Sequence, residues 1–390
     1  MNQRLTTKSL LIIFLCLSLL GSCISPIQKD NSLEITTSSG VSQGTLNKNV
    51  ITWEDIPYAI PPEGDLRWKA PRPLISPDLN IKPQEGNGCL QEASIYAGIQ
   101  GEGIVGQEDC LYMDIKAPIN NLNRRLPVMF WIHGGGNTSG VKDYYDFSEL
   151  IREHQVIVVT INYRLGPMGW FTHPAIQGLQ SGIDKTSNFG TLDIIEALKW
   201  VKNNIHNFGG DPENITIFGE SAGGHNVLSL LVSKKAKGLF HKAISMSGYT
   251  ESISLEDAYK QKYKSPTSNY SSWNVVNKII NLESDENKKD NYSNEEIRNR
   301  LYSLSGKEFY KYYANRETYE ELPLLTNDGL VIPLIGLKES LSKKEHVNNV
   351  PTIAGSNRDE VKIWLAFSEY FVTVDYSPTS SLFNLPKATL

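Results

Sequence analysis

Two runs made almost wholly of apolar residues set the framework of this chain: LPVMFWI at Leu126–Ile132 and VIVVTI at residues 156–161. Neither alternates apolar with polar, which is what a parallel strand buried on both faces requires. Shorter runs of the same character lie at residues 215–218 (ITIF), Lys242–Met246 (KAISM) and residues 351–354 (PTIA). Between them the period becomes helical. Leu192, Ile195, Leu198, Val201 and Ile205 predict a helix over residues 191–205, with Gly209 and Gly210 as its stop. Residues 144–154 and Ala222–Val232 are also helix-compatible. Strands alternating with helices predict an α/β fold: a doubly wound, mostly parallel sheet with helices on both faces. Residues from 34 onward predict short edge strands. The prolines of residues 56–74 exclude a helix and predict an extended segment laid on the body. Residues 250–316 change texture, towards Lys, Asn, Ser, Glu and Tyr, while keeping apolar positions. Ser293 followed by Glu296 is a capping-box start. This stretch reads as a cap-like helical insertion.

Composition narrows the function. The chain has 390 residues, enough for a large core, with 40% hydrophobic and 21% charged residues, the balance of an ordinary globular protein. A net charge of -5 offers no attraction for nucleic acid. The four cysteines and seven histidines do not fall at zinc spacings, and no phosphate-cradling or dinucleotide glycine pattern occurs, so no metal or cofactor is expected. The N-terminus predicts export. Arg4 and Lys8 precede an apolar stretch, residues 10–20, too short to span a bilayer comfortably. Leu20-Gly21-Ser22-Cys23 resembles a bacterial lipobox, which would make 1–22 a lipoprotein-type signal peptide, Cys23 the lipidated residue and 23–33 a tether from the membrane. A plain signal peptide with an incidental cysteine is the alternative. With Cys16 removed and Cys23 lipidated, Cys89 and Cys110 remain and are expected to pair in an oxidising compartment, a crosslink worth about 3 kcal/mol on the chain-entropy model.

The chemistry is signalled at Gly219-Glu220-Ser221-Ala222-Gly223. This G-x-S-x-G follows an apolar segment and opens a helix-compatible run, the context of a nucleophile elbow. A serine held at a strained turn needs small residues two before and two after, and Gly219 and Gly223 supply them. A glycine-rich turn with an ordinary serine is the bland alternative. His133-Gly134-Gly135-Gly136 follows the Leu126–Ile132 run, where backbone N–H groups can approach an oxyanion together with that of Ala222. Glu360, after the PTIA run, stands in the Ser-then-acid order of hydrolase triads, although alone it could be a solvated loop carboxylate.

With these pieces in place, the chain resembles the type-B carboxylesterases, the family that includes the cholinesterases, within the α/β-hydrolase fold. The shared stretches run along most of the chain: IPYAIPPEGDLRW, EDCLYMDI, HGGG, INYRLGPMGWF, NFGTLDIIEALKWVKNNIHNFGGDPENITIFGESAGG, AISMSG and GSNRDE. The resemblance implies an α/β-hydrolase domain over 34–390 that hydrolyses small-molecule carboxylic esters. It implies an acyl-enzyme on Ser221, oxyanion donors at Gly135, Gly136 and Ala222, Glu360 as the triad acid and a Cys89–Cys110 disulfide. One departure is serious. The family's catalytic histidine lies well beyond the acid, and no histidine follows Glu360 here. The expectation is a fold incomplete at its C-terminal end. The alternative is a catalytically impaired or non-enzymatic cholinesterase-like binding protein. His225, one turn beyond Ser221, is expected to point away from the hydroxyl.

Overall fold

The computed structural model describes residues 33–84, 86–94, 97–121, 124–259, 272–281, 292–314 and 325–360, with strands Thr373–Asp375 and Lys387–Thr389. The expected signal peptide, Cys23 and most of the tether lie outside the described residues.

The apolar runs are strands. In chain order the strands begin with β1 (Glu34–Thr37), β2 (Gly40–Gln43), β3 (Thr45–Asn47) and β4 (Val50–Pro57). Next come β5 (Gln91–Ser94), β6 (Ile99–Val105), β7 (Tyr112–Pro118), β8 (Leu126–Ile132) and β9 (Ile157–Ile161). Then follow β10 (Gly210–Glu220), β11 (Lys242–Met246), β12 (Ile253–Ser254), β13 (Thr326–Asn327) and β14 (Thr352–Gly355). One eight-stranded sheet has the order β14-β11-β10-β8-β9-β7-β4-β3. Its first five strands are mutually parallel, and β7, β4 and β3 extend it antiparallel. The mostly parallel sheet is thus as the apolar runs predict. Of the expected edge strands, β3 joins this sheet, while β1 and β2 form a separate hairpin.

Strands β4 and β7 are not evident from periodicity. β7 carries Asp114 and Lys116, which interrupt an apolar run. Asp114 is nevertheless buried, because the Lys142 ammonium lies 2.9 Å from it and 2.9 Å from Asp55 on β4. The tertiary ion cluster, not local pattern, makes that strand possible.

The helices flanking the sheet are α1 (Ser148–His154), α2 (Phe189–Asn204) and α3 (Ala222–Val232). Helix α1 starts four residues later than the pattern suggests. The preceding residues serve the core instead: Tyr145 and Phe147 set their rings against Trp131, at 4.9 and 5.4 Å, and Asp146 accepts the Ser148 N–H. Helix α2 matches its expected period and passes through a short 3-10 turn to Gly209, at φ 79°.

The region expected as a cap supplies α4 (Trp273–Asn281), α5 (Asn294–Ser303) and α6 (Gly306–Tyr310). Ser293 and Glu296 form the capping box that the sequence announces. Val276, Ile279, Leu301 and Phe309 from these helices join Trp68, Phe171 and Phe189 in a second apolar cluster. Trp68, from the extended segment, is fully buried there, its Nε1 donating to the Pro167 carbonyl at 2.8 Å. Trp170 and Phe171 are buried core residues.

Candidate active site

Strand β10 ends at Glu220 and α3 starts at Ala222, leaving Ser221 to turn the chain at φ 55° and ψ -119°. A non-glycine residue there is held against its steric preference, at a cost of about 1–3 kcal/mol. The neighbours explain why it holds. A Cβ on Gly219 would lie 2.5 Å from the Gly223 carbonyl carbon, and one on Gly223 would lie 2.0 Å from the Ile132 oxygen. Strand, turn and helix are therefore packed backbone to backbone. Ser221 N donates to Met246 O at 2.9 Å, and His225 N donates to Ser221 O at 2.9 Å. The hydroxyl has no hydrogen-bond partner among the described residues, and it sits at the positive end of an 11-residue helix.

The glycine loop lies beside it because β8 pairs with β10, Ile132 opposite Gly219. A Cβ on Gly134 would come within 3.4 Å of the Ser221 Cβ. Gly135 and Gly136 have φ of 96° and 64°, the left-handed region that favours glycine. Four carbonyls of residues 133–137 are occupied. The His133 carbonyl accepts from the Tyr163 hydroxyl at 2.7 Å, Gly134 O from His133 Nδ1 at 2.9 Å, and Asn137 O from Gly166 N at 2.8 Å. Gly135 O accepts the N–H groups of Thr138 and Ser139, both at 3.0 Å. By contrast, the N–H groups of Gly135, Gly136 and Ala222 find no acceptor among the described residues. Unspent donors beside an unspent hydroxyl can receive a negative oxygen.

Glu360 follows β14, two strands from β10, so it lies at the same C-terminal edge of the sheet as Ser221. Its Oε2 accepts the Asn357 N–H at 2.8 Å. That bond first, and then the nearby Ser247 hydroxyl, hold its carboxyl below the usual value. Glu220 is shifted the other way, raised first by burial and then by the charge of Glu360. Ser247 turns the chain after β11 at φ 50° and donates its N–H to Gly355 O at 2.7 Å. Sequence reasoning missed both Ser247 and Glu220 as members of the site. The signal for Ser247 is only that a serine follows the KAISM strand.

None of the seven histidine rings is hydrogen-bonded to the Ser221 hydroxyl or the Glu360 carboxylate. His133 is stacked on Tyr163 with ring centroids 4.4 Å apart. His225 turns away as expected, its Nδ1 donating to Tyr249 O at 2.7 Å. His173 accepts Ala175 N at its helix start, and His241 accepts Ile215 N, each at 3.1 Å. His154 and His206 are exposed, and His346 is half-buried in a 3-10 turn before β14. Burial lowers His133 and His225 to about 4 and His173 to about 3, so all three are neutral at pH 7. Cys89 and Cys110 form a disulfide, their Cα atoms 5.0 Å apart. No group of three or more His, Cys, Asp or Glu side chains arranged to hold a metal ion occurs among the described residues.

A mostly parallel, doubly wound sheet whose C-terminal edge carries a strand–serine–helix turn defines the α/β-hydrolase fold. Residues 31–379 match the model of the Carboxylesterase family, and the chain belongs to that family. It is 43% identical over 227 residues to para-nitrobenzyl esterase of Bacillus subtilis (strain 168), covering 57% of this chain and 45% of that protein. It is 40% identical over 245 residues to fumonisin B1 esterase of Sphingopyxis macrogoltabida, covering 59% and 43%. A solved PNB esterase structure superposes with a TM-score of 0.72 at 31% identity, over 88% of this chain and 66% of that one. The chain spans about half the length of the curated relatives it matches.

Proposed function

We propose that this chain carries the nucleophile, oxyanion donors and acid of a serine carboxylesterase acting on small-molecule esters. The observation that supports it most directly is the strained Ser221, its hydroxyl unbonded, next to the unused N–H groups of Gly135, Gly136 and Ala222. The Ser221 oxygen attacks the ester carbonyl as a base takes its proton. The carbonyl oxygen becomes an oxyanion received by the three N–H groups. The alcohol leaves with a proton, and water then releases the acid from the acyl-enzyme. Glu360, kept ionised by Asn357 and Ser247, is suited to orient an imidazolium base. No histidine ring of this chain is bonded to the Ser221 hydroxyl or the Glu360 carboxylate, so the position between them is where the base has to enter.

That gap gives the test. A fluorophosphonate probe should label Ser221, and p-nitrophenyl ester turnover should rise with added imidazole above the rate of Ser221→Ala in the same buffer. Labelling and turnover should both vanish in Ser221→Ala, since losing a triad serine costs about a million-fold in kcat where the site is fully assembled. A folded protein that neither labels nor responds to imidazole would favour the rival reading, a cholinesterase-like binding protein. The basic residues Arg4 and Lys8, the apolar stretch after them and Cys23 support export with a lipid anchor in the cell envelope. Radiolabelled palmitate should enter the wild type and not Cys23→Ser.

A further inference from the structure

The loop that bears the candidate oxyanion donors has a second fixing point, away from the serine. Gln91, at the start of β5, is 1% exposed. Its Oε1 accepts the Gly140 N–H at 2.8 Å, and its Nε2 donates to Gly140 O at 3.0 Å. The carboxamide thus takes both backbone groups of one residue, at the point where the loop leaves the site. Gly140 in turn lies on the first residue of the loop: a Cβ there, at φ 126°, would be 2.3 Å from His133 Nδ1. The clamp therefore closes the base of the loop, and residues 133–140 have little freedom while it holds.

Gln91 is itself held from behind. Its Nε2 also donates to the Cys89 carbonyl at 3.0 Å. Cys89 is joined to Cys110, which leads into β7 of the main sheet. Gly88 O accepts Gln107 N at 3.0 Å. The small hairpin of β5 and β6 is outside the main sheet, and the disulfide closes its base by joining the residue before Leu90 to the approach to β7.

We propose that Gln91 is a positioning residue for the oxyanion donors of Gly135 and Gly136, and that the Cys89–Cys110 disulfide keeps Gln91 in place. Donor geometry then depends on the oxidation state of that pair. A dithiol reductant gives two electrons and two protons to the disulfide, which becomes two thiols, and leaves as its own cyclic disulfide. The inference rests on the esterase reading for its effect on rate, but not for its effect on the loop.

The experiment compares wild type, Gln91→Ala and Gln91→Glu, each oxidised and each treated with dithiothreitol. Turnover of p-nitrophenyl acetate and butyrate, with imidazole present, is measured alongside amide hydrogen exchange of residues 133–140. Gln91→Ala should lower kcat by about 10–100-fold, the scale of a misplaced donor, with KM almost unchanged. The loss should be equal for both esters, because the oxyanion is common to them. Gln91→Glu keeps the acceptor and loses the donor, and should fall between. Loop amides should exchange faster in Gln91→Ala. Reduction should slow the wild type similarly and add little to Gln91→Ala. Wild-type kcat and wild-type loop exchange in Gln91→Ala overturn the clamp. Reduction that slows wild type and Gln91→Ala by equal factors overturns the role of the disulfide. If the wild type shows no turnover that depends on Ser221, the esterase reading fails, and loop exchange alone decides the clamp.

Discussion

Single atoms decide whether the elbow can exist. Gly223 has no room for a methyl group, its would-be Cβ being 2.0 Å from the Ile132 oxygen. Gly223→Ala should therefore destabilise by at least about 1–3 kcal/mol, seen as a lower denaturant midpoint, and should abolish fluorophosphonate labelling. Ser247 is a subtler test. Its hydroxyl is one of the groups that favour the ionised form of Glu360. In Ser247→Ala the Glu360 carboxyl should titrate at higher pH. The acid limb of any Ser221-dependent rate profile should move upward with it, while the denaturant midpoint stays close to wild type. An unchanged profile would remove Ser247 from the site.

At the level of elements, the antiparallel end of the sheet depends on one buried ammonium. Lys142 lies within 3 Å of Asp55 on β4, Asp114 on β7 and Asp143 beside it. Burial pushes the Asp114 carboxyl up, to about 8, against the pull of Lys142. Lys142→Met should leave Asp55 and Asp114 buried without a cation and cost about 3–5 kcal/mol in urea unfolding. Lys142→Met with Asp114→Asn should recover part of that loss. Trp68 makes the corresponding link for the helical region, its ring stacked on Phe171 at 4.9 Å and edge-on to Phe309 at 4.9 Å. Trp68→Ala should cost about 3–5 kcal/mol and expose the surface on which α6 packs, detectable as faster exchange there.

The molecule as a whole should be sensitive to mild acid. His133 and His225 are neutral and buried, lowered to about 4 from an ordinary value of 6.5. Between those values the unfolded chain binds protons that the folded chain refuses. Stability is thus fully present above about pH 6.5 and is lost as pH falls through about 4, by roughly 3 kcal/mol for each histidine. Urea midpoints measured from pH 7 to pH 4 should fall. His225→Gln, if it keeps the bond to Tyr249 O, should fall less steeply than wild type.

How far the sequence alone reaches can be read from particular elements. The strands β8, β9 and β11, the helix α3 and the glycine loop were legible because each is a local pattern: an apolar run, a helical period, a glycine cluster with a steric task. The disulfide partners and the capping box at Ser293 were legible too. β7 was not, because the buried carboxylate of Asp114 is compensated by Lys142, which lies in a later loop. Nor was the late start of α1, since Tyr145 and Phe147 are drawn into the aromatic cluster around Trp131. The same division holds for the site. Sequence singled out Ser221, Gly135, Gly136, Ala222 and Glu360 as candidates, because turn geometry and chain order constrain them. Only the tertiary structure brought Ser247 to Glu360, set Glu220 against it, turned His225 to Tyr249 and closed Gln91 on Gly140. These contacts join residues far apart in the chain, and no local period records which distant partner a side chain will meet.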